Sequence, residues 1–302
     1  MPQFDSSGDT SGPPRLDEQL DAFVRQSLGV TEFSAEWCGW DHGEARVWRL
    51  DFATCDNVRA RVFLKAWRQS GKFARERRAL QEWGEPLSAT YRVPRILAGL
   101  PGAALLLTAV PGERVDMQER APALEQSIHE QAGRFLSALH AVPWEDTDIS
   151  LSEAYEKRAA TWAVRAQAHL EQPVIQRVQD RIRAALPLLD KVRRVPCHRD
   201  FSPRNWLVDS EGVVGFIDFE HARPDVRMGD FERLWSRVWP DRPDLEEAFR
   251  AGYGQILTAE DLELLQHLAA LAALSTVVWA REHADPEFAA HGLSVLKRLR
   301  LL

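Results

Sequence analysis

Residues 197–220 read CHRDFSPRNWLVDSEGVVGFIDFE. Asp200 stands five residues before Asn205, and Asp218 follows after two short apolar stretches, 205–208 and 213–217. Asp209-Ser210-Glu211-Gly212 separates those stretches and has the composition of a hairpin turn. A hairpin there returns Asn205 and Asp218, both hard oxygen donors, to one place, where they suit a divalent cation such as Mg2+. Pro203 keeps the intervening loop out of a helix. Asp200 is then the carboxylate left to face a reacting hydroxyl. Transfer of a γ-phosphoryl group asks for these parts, because its transition state is loose and anionic and needs metal clamping and a positioned hydroxyl. Taken singly, each residue reads as an ordinary polar loop or turn position. The joint spacing around a hairpin is what points to chemistry.

The stretch follows the protein-kinase layout H-R-D-x-x-x-x-N and then a metal-binding Asp, although Asp218-Phe219 is followed by Glu220 rather than Gly. More closely, HRDFSPRN and FIDFEHA resemble the motif of the aminoglycoside phosphotransferase and choline kinase-like family, relatives of the protein kinases. That family usually shows H-G-D-x-x-x-x-N, a hairpin and I-D-[FW], so Arg199 stands where Gly is commoner. The resemblance implies a two-lobed, protein-kinase-like α+β fold, with a small β-rich lobe and a larger helical one. It implies a small-molecule O-phosphotransferase using Mg2+ and ATP or GTP, with Asp200 catalytic and His198 supporting. Gly229-Asp230-Phe231 resembles a short element that follows the metal Asp in the family, which implies that Asp230 braces the catalytic loop. No activation segment ending in A-P-E follows Asp218, which separates the chain from protein kinases.

A nucleotide site needs a cation on the phosphates, oriented by a carboxylate from a neighbouring helix. Residues 44–52 alternate as a strand, Asp56-Asn57 makes a turn, and 58–67 reads as the partner strand carrying Lys65 on the face of Phe63. Residues 72–83 form an amphipathic helix that offers Glu76, with Glu82 on the same helix. A Gly-bearing turn, with Gly39 and Gly43, precedes the first strand and lies where backbone N–H groups would approach phosphates. It lacks the G-x-G-x-x-G pattern. The run 103–110 is a continuous apolar strand stopped by Pro111-Gly112. LLLTAVPGE at 105–113 resembles the family's interlobe segment, which implies that Thr108, Ala109 and Val110 present a backbone edge to the base. QAGRFLSALHAV at 131–142 resembles its L-x-x-L-H helix, with His140 as a packing residue.

Periodicity makes 16–28, 119–141, 152–170, 173–190 and most of 243–302 helical. The expected organisation is a disordered leader at 1–14, a nucleotide-binding lobe at 15–110 and a helical lobe with the catalytic loop and acceptor site at 111–302. Hydrophobic residues make up 45% and charged residues 27% of 302, as in soluble globular chains. No apolar run approaches the ~20 residues of a membrane span, and no signal peptide opens the chain, so neither a membrane nor export is expected. Cys38, Cys55 and Cys197 lie far apart, which fits a reducing cytoplasm. A net charge of −7 argues against nucleic acid as a partner. Residues 58–95 carry ten basic and three acidic side chains, a local +7, leaving −14 elsewhere. That balance suggests a cationic acceptor, of the aminoglycoside or another antibiotic type, met by Glu220, Asp225 and Trp239. The partners expected are thus a nucleoside triphosphate and a hydroxylated small molecule. A metabolic kinase for choline, a sugar or homoserine would share every catalytic residue named, and a nucleotide-binding pseudokinase is the alternative outside the enzymes.

Overall fold

A computed structural model describes residues 15–39, 45–144 and 149–302. The expected leader and Gly43 lie outside the described residues. The chain forms two compact units, Met1–Arg77 with Pro94–Ala109, and Arg78–Val93 with Val110–Leu302.

In the first unit, α1 (Glu18–Leu28) precedes β1 (Ser34–Trp37), β2 (Ala45–Ala53) and β3 (Arg59–Trp67). Asp17 caps α1 by accepting the Leu20 N–H at 2.9 Å. After β3 come α2 (Ser70–Ala79), a π-helical stretch at Leu80–Gly84, a single turn α3 (Glu85–Leu87), β4 (Ile96–Leu100) and β5 (Ala104–Thr108). The strands form one antiparallel sheet in the order β1-β2-β3-β5-β4. Strand periodicity sends Trp48, Leu50, Val62, Leu64, Ala66, Ala104 and Leu106 to one face, where they pack with Leu20 and Val24 of α1. Lys65, out of phase with that set, belongs to the other face.

The second unit is mostly helical. Its elements are β6 (Glu113–Arg114), α4 (Pro122–Ala141), α5 (Leu151–Ala166), α6 (Gln172–Leu189), β7 (Val195–Cys197), β8 (Trp206–Val208), β9 (Val214–Phe216) and β10 (Arg223–Asp225). Helices α7 (Glu232–Arg237), α8 (Pro243–Tyr253), α9 (Ala259–Glu282) and α10 (Pro286–Arg298) follow. β6, β8 and β9 form a small sheet, and β7 pairs antiparallel with β10. Gly112 enters β6 at φ +115, and a Cβ there would stand 2.5 Å from the Val208 carbonyl carbon. Only glycine meets both demands. Helix α9 corrects one expectation, because by length and composition it is apolar enough to cross a membrane. Yet 67% of that apolar window is buried, and α5, α6 and α10 pack against it. Its continuous hydrophobicity follows from being enclosed by neighbouring helices.

Candidate active site

The hairpin of β8 and β9 forms as the turn composition predicts. Asp209 Oδ1 accepts the N–H groups of Glu211 and Val213, each at 2.9 Å, and holds the turn. Trp206 pairs with Phe216, and Ile217 N–H donates to the Asn205 carbonyl at 3.0 Å. Asn205 and Asp218 therefore flank the open end of the hairpin. Asn205 is 5% exposed, and its Nδ2 donates to both the carbonyl oxygen (2.8 Å) and Oδ2 (3.0 Å) of Asp200. This commits the amide nitrogen inward and leaves the amide oxygen as the donor atom for a cation. Asp218 adopts φ +70, and its carboxylate has an oxygen within 4.8 Å of one from Glu220. An amide oxygen with neighbouring carboxylates is a hard donor set, which fits magnesium.

Asp200 is buried, and its Oδ2 also accepts from Arg204. Its Oδ1 makes no hydrogen bond among the described residues, with Arg233 Nε at 3.5 Å. Burial works to raise the Asp200 pKa, but Arg204, Arg233 and His221 outweigh it and hold the carboxyl well below the usual range.

The loop bearing Asp200 is fastened from below by Asp230, which is fully buried and accepts the N–H groups of His198 (2.8 Å) and Arg199 (2.5 Å). His140 lies 3.1 Å from Asp230 through Nε2 and 2.9 Å from the Tyr253 hydroxyl through Nδ1. The ring thus bridges Asp230 and Tyr253. His198, itself fully buried, places Nε2 3.0 Å from the Ile217 carbonyl, linking the loop to the hairpin's far strand.

Within the first unit, Lys65 and Glu76 form a buried ion pair of 2.6 Å. Lys65 Nζ also lies 5.2 Å from the centroid of Trp67, which meets Phe73 edge-on. Glu82 instead pairs with Arg78 at the surface. Gly39 follows β1 against the Trp37 indole. Thr108 ends β5 with its N–H donated to Arg95 and its hydroxyl accepting from Arg95, each at 2.9 Å. Ala109 closes the first unit and Val110 opens the next stretch of the second.

Residues 42–274 match the phosphotransferase enzyme family, well over half of the chain. The chain belongs to that family. No curated protein sequence matches it. Among solved structures it is similar to the GDP and kanamycin complex of APH(2")-IIia, with a TM-score of 0.71 at 13% identity, covering 94% of this chain and 99% of that one. It is similar also to the gentamicin–APH(2")-IIa complex, with a TM-score of 0.69 at 13% identity, covering 94% and 96% of the two chains. A macrolide 2'-phosphotransferase type I matches with a TM-score of 0.60 at 17% identity, covering 92% and 96%. The fold is thus the protein-kinase-like α+β fold of these phosphotransferases, and the chain is an enzyme of the kinase class.

Of the three side chains expected to meet the acceptor, Trp239 and Asp225 are enclosed by other partners, and Glu220 lies beside Asp218. Trp239 is 3% exposed and packs against Phe231 and Phe249 in the core of the second unit. Asp225 is 1% exposed and accepts from the Tyr155 hydroxyl (2.9 Å), Arg158 (3.2 Å) and Arg223 (3.2 Å), with Arg199 Nε at 3.4 Å. Burial opposes its charge, but Arg199, Arg158 and Arg223 hold its pKa well below normal. Glu220 is buried beside Asp218 and His221. What sequence reasoning missed is the ground around Asp200, which is basic: Arg204 and Arg233 face it, and Arg237 stands one turn beyond Arg233 on α7. Arg204 carried a visible signal, lying four residues after Asp200. Arg233 and Arg237 share a helical spacing, but nothing in the sequence ties that helix to the catalytic loop. The acidic balance outside 58–95 therefore does not describe the site, because a net charge sums the whole surface while nearby groups set the local field.

Proposed function

We propose that this enzyme transfers the γ-phosphoryl group of ATP or GTP to a hydroxyl of a small molecule, with an antibiotic-type acceptor as the leading class. The observation that carries the reading is the closure of the catalytic loop, in which Asn205 donates to Asp200 while the hairpin returns the chain to Asp218. The neighbours described with kanamycin, gentamicin and a macrolide kinase activity support an antibiotic acceptor. Neighbours described with GDP, and one with ATP, support a nucleotide co-substrate.

Each residue then has a task. Asp200 Oδ1 accepts a hydrogen bond from the acceptor hydroxyl, orients its oxygen and takes its proton late. A carboxylate with so low a pKa is a weak base, which suits a loose transition state that needs little early deprotonation. Asn205 fixes the Asp200 carboxylate and, with Asp218, would hold magnesium. Bound there, the ion would neutralise charge on the phosphate oxygens. Lys65 grips the nucleotide phosphates and Glu76 holds its ammonium in place. Ala109 and Val110 offer the backbone edge for the base, together with Thr108, whose own N–H is already committed to Arg95. Gly39 lines the phosphate turn, for which Gly43, outside the described residues, is the second glycine expected from the sequence. Asp230 and His198 keep the catalytic loop in register. The nucleotide lobe is taken as 15–110 and the acceptor lobe as 111–302, with 78–93 and Val110 grouped in the second compact unit. The enzyme works in the cytoplasm, where its nucleotide and magnesium are supplied.

Asp218→Ala should abolish phosphoryl transfer in magnesium while circular dichroism stays unchanged. Normal turnover of that variant would remove Asp218 from the reaction. Expressing the chain in sensitive bacteria across antibiotic classes tests the acceptor class, and resistance to one class identifies it.

A further inference from the structure

Near Asp200 the second unit places the guanidinium groups of Arg204, Arg233 and Arg237. Arg204 pairs with Asp200, while Arg233 Nε lies 3.5 Å from Asp200 Oδ1 and 3.8 Å from a Glu232 oxygen. Arg237 follows Arg233 by four residues on α7, so the two side chains share one helix face. Both reach the Phe288 ring of α10, at 5.7 Å and 4.7 Å from its centroid. Among the described residues Arg237 forms no ion pair with a carboxylate. The field this creates is visible in its neighbours. Desolvation by surrounding atoms, with Arg233 and Arg204, lowers the Arg237 pKa to about 10 against rises from Glu232 and Asp200, although the side chain stays exposed at the surface. Burial, with Arg237, Arg233 and Arg298, lowers that of His291 on α10 to about 4, so the ring is neutral and adds no charge of its own.

We propose that Arg233 and Arg237 form an oxyanion subsite of the acceptor pocket, so that the natural acceptor carries a carboxylate, phosphate or similar group close to the hydroxyl that is phosphorylated. The inference rests on the phosphotransferase reading above but sets an anionic acceptor in place of the aminoglycoside-like one that reading puts first. A hydroxyl that donates to Asp200 Oδ1 lies beside Arg233 Nε, because that nitrogen is 3.5 Å from the same oxygen. The substituents next to that hydroxyl therefore meet Arg233 first and Arg237 next. An ammonium placed there would face two like charges, whereas an oxyanion would find two guanidinium groups able to donate in parallel. Arg204 is not counted in the subsite, because it is already paired with Asp200.

Two arms test this. In the first, sulfate is titrated calorimetrically into the enzyme saturated with magnesium and a non-hydrolysable ATP analogue, so that the nucleotide's own phosphate sites are filled. Sulfate should bind, and Arg237→Ala and Arg233→Ala should weaken it about 10- to 100-fold, the range for losing a charged hydrogen bond. Arg237→Lys, which keeps the charge without the fork, should restore part of the loss. No binding, or binding indifferent to these variants, overturns the subsite. In the second arm, transfer is assayed with kanamycin, a neutral sugar, a hydroxy acid and a sugar phosphate. Turnover should favour the anionic acceptors, and Arg237→Ala should raise their KM about 10- to 100-fold while leaving the nucleotide KM unchanged. Turnover of kanamycin with a KM that Arg237→Ala leaves alone or lowers overturns the inference and leaves the kinase reading standing. Transfer to none of the four counts against that reading instead, and the sulfate arm then decides the subsite by itself.

Discussion

At each end of the proposed chemistry an acidic side chain meets basic groups, in different ways. Asp200 stays ionised because Arg204, Arg233 and His221 outweigh its burial, so removing its charge removes the hydroxyl's only proposed acceptor. Asp200→Asn keeps the shape and the Asn205 contact. It should leave nucleotide affinity, measured calorimetrically, near wild type while kcat falls by about 10²–10⁴. A wild-type kcat would end the catalytic assignment. Lys65 faces Glu76 across a buried 2.6 Å contact, so truncating it removes a partner from that carboxylate as well as the cation proposed for the phosphates. Lys65→Ala should raise the nucleotide KM far more than the acceptor KM and destabilise the fold by about 3–5 kcal/mol, the cost of breaking a buried pair. A larger rise in the acceptor KM would move Lys65 out of the nucleotide site.

The catalytic loop is an element under backbone constraint. Arg199 sits at φ +67, the left-handed region, at the position where the family commonly has glycine. The arginine is retained there by two contacts: its N–H to Asp230 and its guanidinium beside Asp225. Gly229 makes that possible, since a Cβ on it would lie 1.9 Å from Arg199 Nη1. Gly229→Ala should therefore displace the guanidinium and destabilise the enzyme by about 1–3 kcal/mol, the range for overpacking. Adding Arg199→Gly should recover most of that loss, because glycine takes φ +67 freely and vacates the space. A double variant whose unfolding free energy, from denaturant titration, equals the sum of the two single losses would show that the residues are independent. The hairpin beside this loop was legible in the sequence because Asp209 and Gly212 state their turn locally. The Arg199–Gly229 fit was not, since it joins positions thirty residues apart.

Across the molecule, burial of histidine sets the acid limit before the carboxylates do. His129 on α4 is 3% exposed, and burial with Arg242 lowers its pKa to about 4, against a partial rise from Asp244. An unfolded histidine titrates near 6.5, so the unfolded chain binds the proton first as pH falls. The stabilisation is complete above about pH 6.5 and is lost as pH drops toward 4, by about 3 kcal/mol for this ring. His129→Phe preserves the edge-on contact with Trp206 and should flatten the pH dependence of unfolding free energy in that window. Unchanged dependence would place the acid sensitivity elsewhere. The carboxylates of Asp200, Asp225 and Asp230, all lowered, act in a separate and more acid range.

What the sequence determined by itself was whatever depends on neighbours in the chain. Alternation gave the strands that carry Lys65, the apolar period gave the helices, and the H-R-D-x-x-x-x-N spacing with its hairpin gave Asp200, Asn205 and Asp218. The π-helical stretch at Leu80–Gly84 and the grouping of 78–93 with the second unit left no local mark, because each follows from what the segment packs against. Tertiary structure alone decided the surroundings of Asp200, Asp225 and Trp239. It buried Asp225 among Arg158, Arg199 and Arg223, closed Trp239 into an aromatic cluster and brought α7 with Arg233 and Arg237 to Asp200. Charge and aromatic composition cannot foretell this, since a side chain's partners and its exposure are fixed by long-range packing rather than by its type.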